Sequence, residues 1–160
     1  MAYAFTSHHV GAQPISETST TQRHNIGERL TAYDPTYGEA EFIYLKGVAS
    51  TVVGDTVIFD QYANTTKRAV AGDRGPVAIA MSANVASQYG WYQITGAAVV
   101  KAGTVAAAGA CYLTATAGTL DDAVVSGDKI DGMRFKTADG TPAAGFAIVQ
   151  MTRSSLNGNG

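Results

Sequence analysis

The chain has 160 residues, 46% of them hydrophobic and 15% charged, with one Cys, a net charge of −2 and a pI of about 5.8. That length points to one domain able to bury a core without covalent staples. One Cys excludes an internal disulfide framework, and the absence of a basic cluster argues against a nucleic-acid partner, whose phosphates demand one. No apolar run reaches the roughly 18 residues of a membrane helix and no signal-like N-terminus is present, so a soluble intracellular product is expected.

Charged residues fall well below the usual ~25%, and Gly, 18 of 160, exceeds the usual ~7%. Ala, Thr, Ser and Gly take their place. A helical protein of this size would carry Glu and Lys in i,i+4 pairs on its exposed faces, and no such face exists here. The low charge fits an ordinary β domain with a Thr/Ser surface; it also makes the surface cheap to desolvate, which suits a protein packed against other protein.

Residues 1–38 hold all three His (His8, His9, His24), a polar stretch at 16–22, and Tyr33-Asp34-Pro35-Thr36-Tyr37-Gly38. Their aliphatic residues, Val10, Ile15, Ile26 and Leu30, are isolated and follow neither strand nor helix period. The segment lacks the apolar content to offset its own ordering entropy, so it reads as an extended arm that orders on a partner or, equally, as a loose terminus without a role. Tyr3, Phe5, Tyr33 and Tyr37 are its large apolar groups and are the expected contacts to that partner.

Residues 39–152 have the texture of a β domain, and 153–160 read as a flexible C-terminal tail. Short runs rich in β-branched and aromatic types recur at 42–45, 56–59, 77–81, 91–94, 97–100, 111–114, 133–135 and 146–151. Turn residues separate them: Gly54-Asp55, Gly72-Asp73, Gly127-Asp128 and Asp139-Gly140. Many short strands at this spacing predict an all-β fold, a small Greek-key-like barrel or sandwich. A short helix is compatible only with 104–110, which Gly109 cuts short, and with 81–86.

A faint repeat runs at an offset of roughly 55. Gly54 through Ile58, followed by Gly72-Asp73-Arg74, is echoed by Gly109 through Leu113, followed by Gly127-Asp128-Lys129. This fits two related hairpin units, although Gly and Asp are common enough in turns for the echo to arise by chance.

No constellation for catalysis emerges. Adjacent His8 and His9 point in different directions from an extended backbone and have no Cys or carboxylate at ligand spacing, so no metal is expected. Cys111 in its apolar run suits a small buried hydrophobe. The scattered Asp residues beside Gly are explained by turn chemistry, and the pair Asp121-Asp122 offers too few oxygens for calcium. No nucleophile-elbow, zinc-protease, P-loop or dinucleotide motif is present, so neither an enzyme nor a cofactor is expected. Residues 128–134 superficially resemble the Ile-Asp element of trimeric β-barrel dUTP pyrophosphatases, but the Tyr and companion motifs of that family are missing. The aromatic cluster Tyr89-Gly90-Trp91-Tyr92 reads either as core or as an anchor of an oligomer interface through Tyr89, Trp91 and Tyr92.

The order Gly47-Val48-Ala49, Gly54-Asp55-Thr56-Val57, Gly75-Pro76-Val77-Ala78-Ile79-Ala80-Met81, Gly90-Trp91-Tyr92-Gln93-Ile94-Thr95-Gly96, Gly109-Ala110-Cys111-Tyr112-Leu113 and Gly127-Asp128-Lys129-Ile130 is informative as a whole. Over roughly 47–151 it resembles the capsid cement (decoration) proteins of tailed bacteriophages, which act like the head-stabilising protein of lambdoid phages. The likeness lies in texture and order. It implies a β-rich virion protein that binds the major capsid protein on the outside of expanded heads, as a homotrimer or sometimes a dimer. It further implies a location on the outer capsid surface, reached from the host cytoplasm during assembly, and N-terminal arms that extend over the lattice. The alternative is a tail- or fibre-associated β module that binds host-surface carbohydrate; a small β-barrel enzyme with its site between subunits is a more remote one.

Overall fold

The computed structural model describes residues 3–6, 11–84, 86–106 and 108–158. Among these, twelve strands and no helix occur, and the strands pair antiparallel in one unclosed sheet. The all-β expectation holds. Neither stretch compatible with a short helix is helical in its described part, and among the described residues no helix is long and apolar enough to cross a membrane.

The strands are β1 (Ala4–Phe5), β2 (Arg29–Asp34), β3 (Gly38–Lys46), β4 (Thr56–Phe59), β5 (Thr66–Arg68), β6 (Gly75–Ala80), β7 (Tyr89–Gln93), β8 (Thr95–Lys101), β9 (Ala110–Leu113), β10 (Leu120–Asp121), β11 (Lys129–Phe135) and β12 (Phe146–Leu156). From β3 onward the chain uses one pairing scheme twice. Strands β3, β7, β6, β4 and β5 are neighbours in that order, and β8, β12, β11, β9 and β10 repeat it. A parallel bridge between Lys46 and Thr65 draws the first unit round, and one between Ala102 and Leu120 does the same in the second. The end of β12 then pairs with the start of β6, which joins the units. The faint sequence repeat is therefore a repeated five-strand topology.

The two interiors fill equivalent places with opposite sizes. In the first unit, Tyr92 pairs with Ile43 on one side and Ala80 on the other. In the second, Val149 pairs with Ala98 and Phe135. All six side chains are buried. The bulk sits on Ile43 and Tyr92 in one row and on Phe135 in the other, so each interior reaches close packing with its own sequence. Such exchange of large for small explains why so little of the repeat survives as residue identity.

The boundary expected at 38/39 is not a boundary. β2 and β3 form a continuous hairpin across it, from Arg29 opposite Ile43 to Asp34 opposite Gly38, and β1 adds a further strand outside β2. The expected extended arm is thus integral to the fold, with Ile15, Leu30 and Ala32 in a core cluster beside Phe42, Tyr44 and Trp91. Isolated apolar residues can be buried when the covering segment is irregular and meets a sheet face already dense in aromatics. The expected C-terminal tail is likewise corrected. β12 runs to Leu156, which is buried, and Ser155 and Leu156 pair with Pro76 and Gly75.

Candidate interaction surface

The outer face of β3 and β7 presents Phe42, Tyr44 and Trp91, and residues 11–28 lie across it. Gln13 is the centre of this cover. Its carbonyl accepts the Trp91 indole N–H at 2.9 Å and its side-chain oxygen accepts the Tyr44 hydroxyl at 2.9 Å. Its amide nitrogen donates to the carbonyls of Glu17 and Tyr89. The Gln13 backbone N–H in turn donates to Nε2 of His24, so that ring nitrogen is an unprotonated acceptor. The His24 ring packs against Tyr44 and Trp91 at about 5 Å. Ser19 and Tyr89 exchange backbone hydrogen bonds and fasten the middle of the segment, and Gly27 and Glu28 bond the Tyr44 backbone at its end.

These contacts relocate most of the expected site residues. Tyr3 and Phe5 pack partly buried against the chain's own aromatic cluster, Tyr3 edge-on to Phe42 at 4.9 Å. Burial, with the Asp34 carboxylate nearby, raises the Tyr3 phenol above its ordinary range. Tyr37 is half-buried in the β2–β3 turn, and Tyr33 alone of the four is exposed, at 48%. Trp91 and Tyr92 are fully buried inside their own chain, one on each face of β7, so neither is presented to a second subunit; Tyr89 is half-buried. His24 serves the cover described above, while His8 and His9 lie outside the described residues.

The acids do more than hold turns. Asp55 is fully buried; one carboxylate oxygen accepts Arg68 Nε at 2.7 Å and the Val52 N–H, while the other lies 3.2 Å from Lys101 Nζ. Arg68 also donates to the Ala117 carbonyl at 2.9 Å. Asp55 thus ties β5 of the first unit to β8 and the 114–119 loop of the second. Asp128 accepts the Gly72 N–H at 2.8 Å and lies 3.5 Å from Arg74. The two repeated Gly-Asp turns therefore meet each other. A lone carboxylate leading into the β-branched and aromatic run Thr56 to Phe59 is the sequence signal that marks Asp55 as more than a turn residue.

Cys111 is buried, and burial pushes its thiol up to about 12, which suits packing rather than nucleophilic chemistry. Among the described residues, no group of three His, Cys, Asp or Glu is placed to hold a metal ion.

What remains outward and apolar lies mainly on turns: Tyr62 at 98% exposure, Val124 at 81%, and Val52, Val53 and Val125 at lower values, with Tyr33 on β2. Tyr62 lines a groove together with Gln61, Lys67 and Arg74. Its loop is held by Asp60, whose carboxylate accepts the N–H groups of Tyr62 and Ala63 and is kept below the usual carboxylate range by them. No family model matches the chain, and no curated protein matches it.

Proposed function

We propose that this chain is a structural virion protein that binds the outer surface of a phage head and cements neighbouring capsomers. The observation that carries the reading is the set of large apolar side chains left in solvent at separate turns of a cross-tied β body. Several modest contacts on one stiff particle act together through effective concentration, so separating capsomers means breaking them all. The resemblance over residues 47–151 supports the same conclusion, with the major capsid protein as partner and a closed homo-oligomer, trimer before dimer, matching a symmetry position of the head. Because Tyr3 and Phe5 are spent on the chain's own core, the proposed capsid contacts are Tyr33, Tyr62, Val124 and Val125. The protein would then reside on the virion surface after release from the host cytoplasm.

The test is co-sedimentation with expanded phage heads, beside the rupture temperature of decorated heads. Saturable pelleting and a higher rupture temperature are expected, and Tyr62→Ser with Val124→Ser should weaken binding about tenfold while leaving the melt of the free protein in place. Absence of pelleting would overturn the reading. One observation favours the second reading, a tail- or fibre-associated module for host-surface carbohydrate. Tyr62 is an exposed ring with polar Gln61, Lys67 and Arg74 around it, the arrangement a sugar face stacks on. Retention on a glycan array with no affinity for heads would decide for that module.

A further inference from the structure

Among the described residues, six of the chain's eleven Lys and Arg side chains pair with carboxylates: Arg29, Lys67, Arg68, Arg74, Lys101 and Arg153. Of the other five, three line one groove of about 660 Å³ on the outer face of β11 and β12. They are Lys129, Arg134 and Lys136, all exposed, with Asp131, Gln150 and Thr152 beside them.

The row exists because β11 is irregular. Strict alternation would place Lys129 and Arg134, five positions apart, on opposite faces. Between them the register against β9 shifts, and Gly132 takes φ +78°. Alternation slips by one, so Ile130, Met133 and Phe135 all turn inward while Lys129, Arg134 and Lys136 turn outward. Hydroxyls of Thr152 and Ser154 both donate to the Gly132 carbonyl and hold the irregularity in place. A chain of net charge −2 thus gathers three cations beside a single carboxylate, Asp131, on one strand face.

We propose that this groove docks an extended acidic segment of a partner protein, carboxylates on alternate residues meeting Arg134 and Lys136 and a further one meeting Lys129. Outward positions two apart on a strand repeat at roughly 6.6 Å, which is also the spacing of same-side residues in an extended peptide. Charge complementarity favours an acidic occupant. Asp131 within the row and the chain's net negative charge disfavour a nucleic acid, which needs a broad basic field. The inference stands apart from the capsid reading, since its test involves no heads.

The probe is a fluorescein-labelled ten-residue peptide of alternating Glu and Thr, titrated by anisotropy against the full chain at 50 mM NaCl. Saturable binding is expected, at least tenfold tighter than for the same peptide with Gln in place of Glu, and weakened by 500 mM NaCl through screening. The triple variant Lys129→Gln, Arg134→Gln, Lys136→Gln should lose at least tenfold; Lys129→Glu with Lys136→Glu repeats the test if that variant does not fold. Equal affinity for the Glu and Gln peptides overturns the proposal. So does tighter binding of a labelled ten-nucleotide single strand than of the Glu peptide.

Discussion

The indole N–H of Trp91 donates to the backbone carbonyl of Gln13 over 2.9 Å, joining residues 78 positions apart in a buried contact. Through it, the irregular N-terminal segment becomes the lid of the β3–β7 face. The same Gln13 takes the Tyr44 hydroxyl, so one residue satisfies two buried aromatic donors that would otherwise be stranded under apolar cover.

Gln13→Ala should therefore cost about 1–3 kcal/mol, because the buried Tyr44 hydroxyl loses its acceptor and the Glu17 carbonyl its side-chain donor. Deleting residues 1–28 should cost more and shift the emission of the chain's single tryptophan to the red, because Trp91 would meet water. Urea titration followed by fluorescence reads both. An unshifted spectrum and unchanged midpoint after deletion would show that the segment does not cover that face.

Asp55→Asn should cost about 3–5 kcal/mol, because it leaves the Arg68 and Lys101 charges facing a neutral amide at a buried site. Arg68→Met alone should cost less, since Lys101 still compensates the carboxylate. Chemical denaturation with an unchanged m-value is the measure.

The opposed interiors make a size test. Phe135→Ala should lose about 3–5 kcal/mol through the cavity it opens. Ala80→Phe, at the equivalent place in the other unit, should lose about 1–3 kcal/mol by overpacking against Tyr92. Thermal melts of both variants check the pair, and tolerance of Ala80→Phe would mean that the first interior has room to spare.

Stability should fall at alkaline pH. Burial pushes Cys111 up to about 12 from an ordinary 9.0 and Tyr92 up to about 12 from 10.0, and Tyr44 and Tyr3 move in the same direction. All four stay protonated in the folded chain at pH values where the unfolded chain has begun to ionise. Their contribution is whole below pH 9 and drains away as pH rises from there toward 12. Midpoints of urea unfolding between pH 7 and pH 11 follow it. A thiol reagent at pH 8 should label Cys111 only on unfolding.

Strand texture and turn chemistry were legible in the linear chain because both are local. Runs such as 56–59 and 146–151 carry their β preference in adjacent residues, and Gly72-Asp73 and Gly127-Asp128 mark turns by backbone requirement alone. The repeat was visible only at its turns, since the interiors exchange large for small residues between units. The packing of the N-terminal segment was not legible there for the opposite reason. Gln13, Ile15 and His24 have no periodic neighbours, and what buries them is a surface assembled from β3 and β7.

By itself, then, the sequence determined an all-β chain, its turn positions and a low-charge surface, all properties of short-range pattern and composition. Only the tertiary structure decided which faces meet. It buried Trp91 and Tyr92, packed Tyr3 and Phe5 partly buried against the chain's own aromatics, brought Asp55 between Arg68 and Lys101, and gathered Lys129, Arg134 and Lys136 onto one face. Each of these depends on register and on contacts between distant segments, where burial of a face in one strand is set by residues tens of positions away.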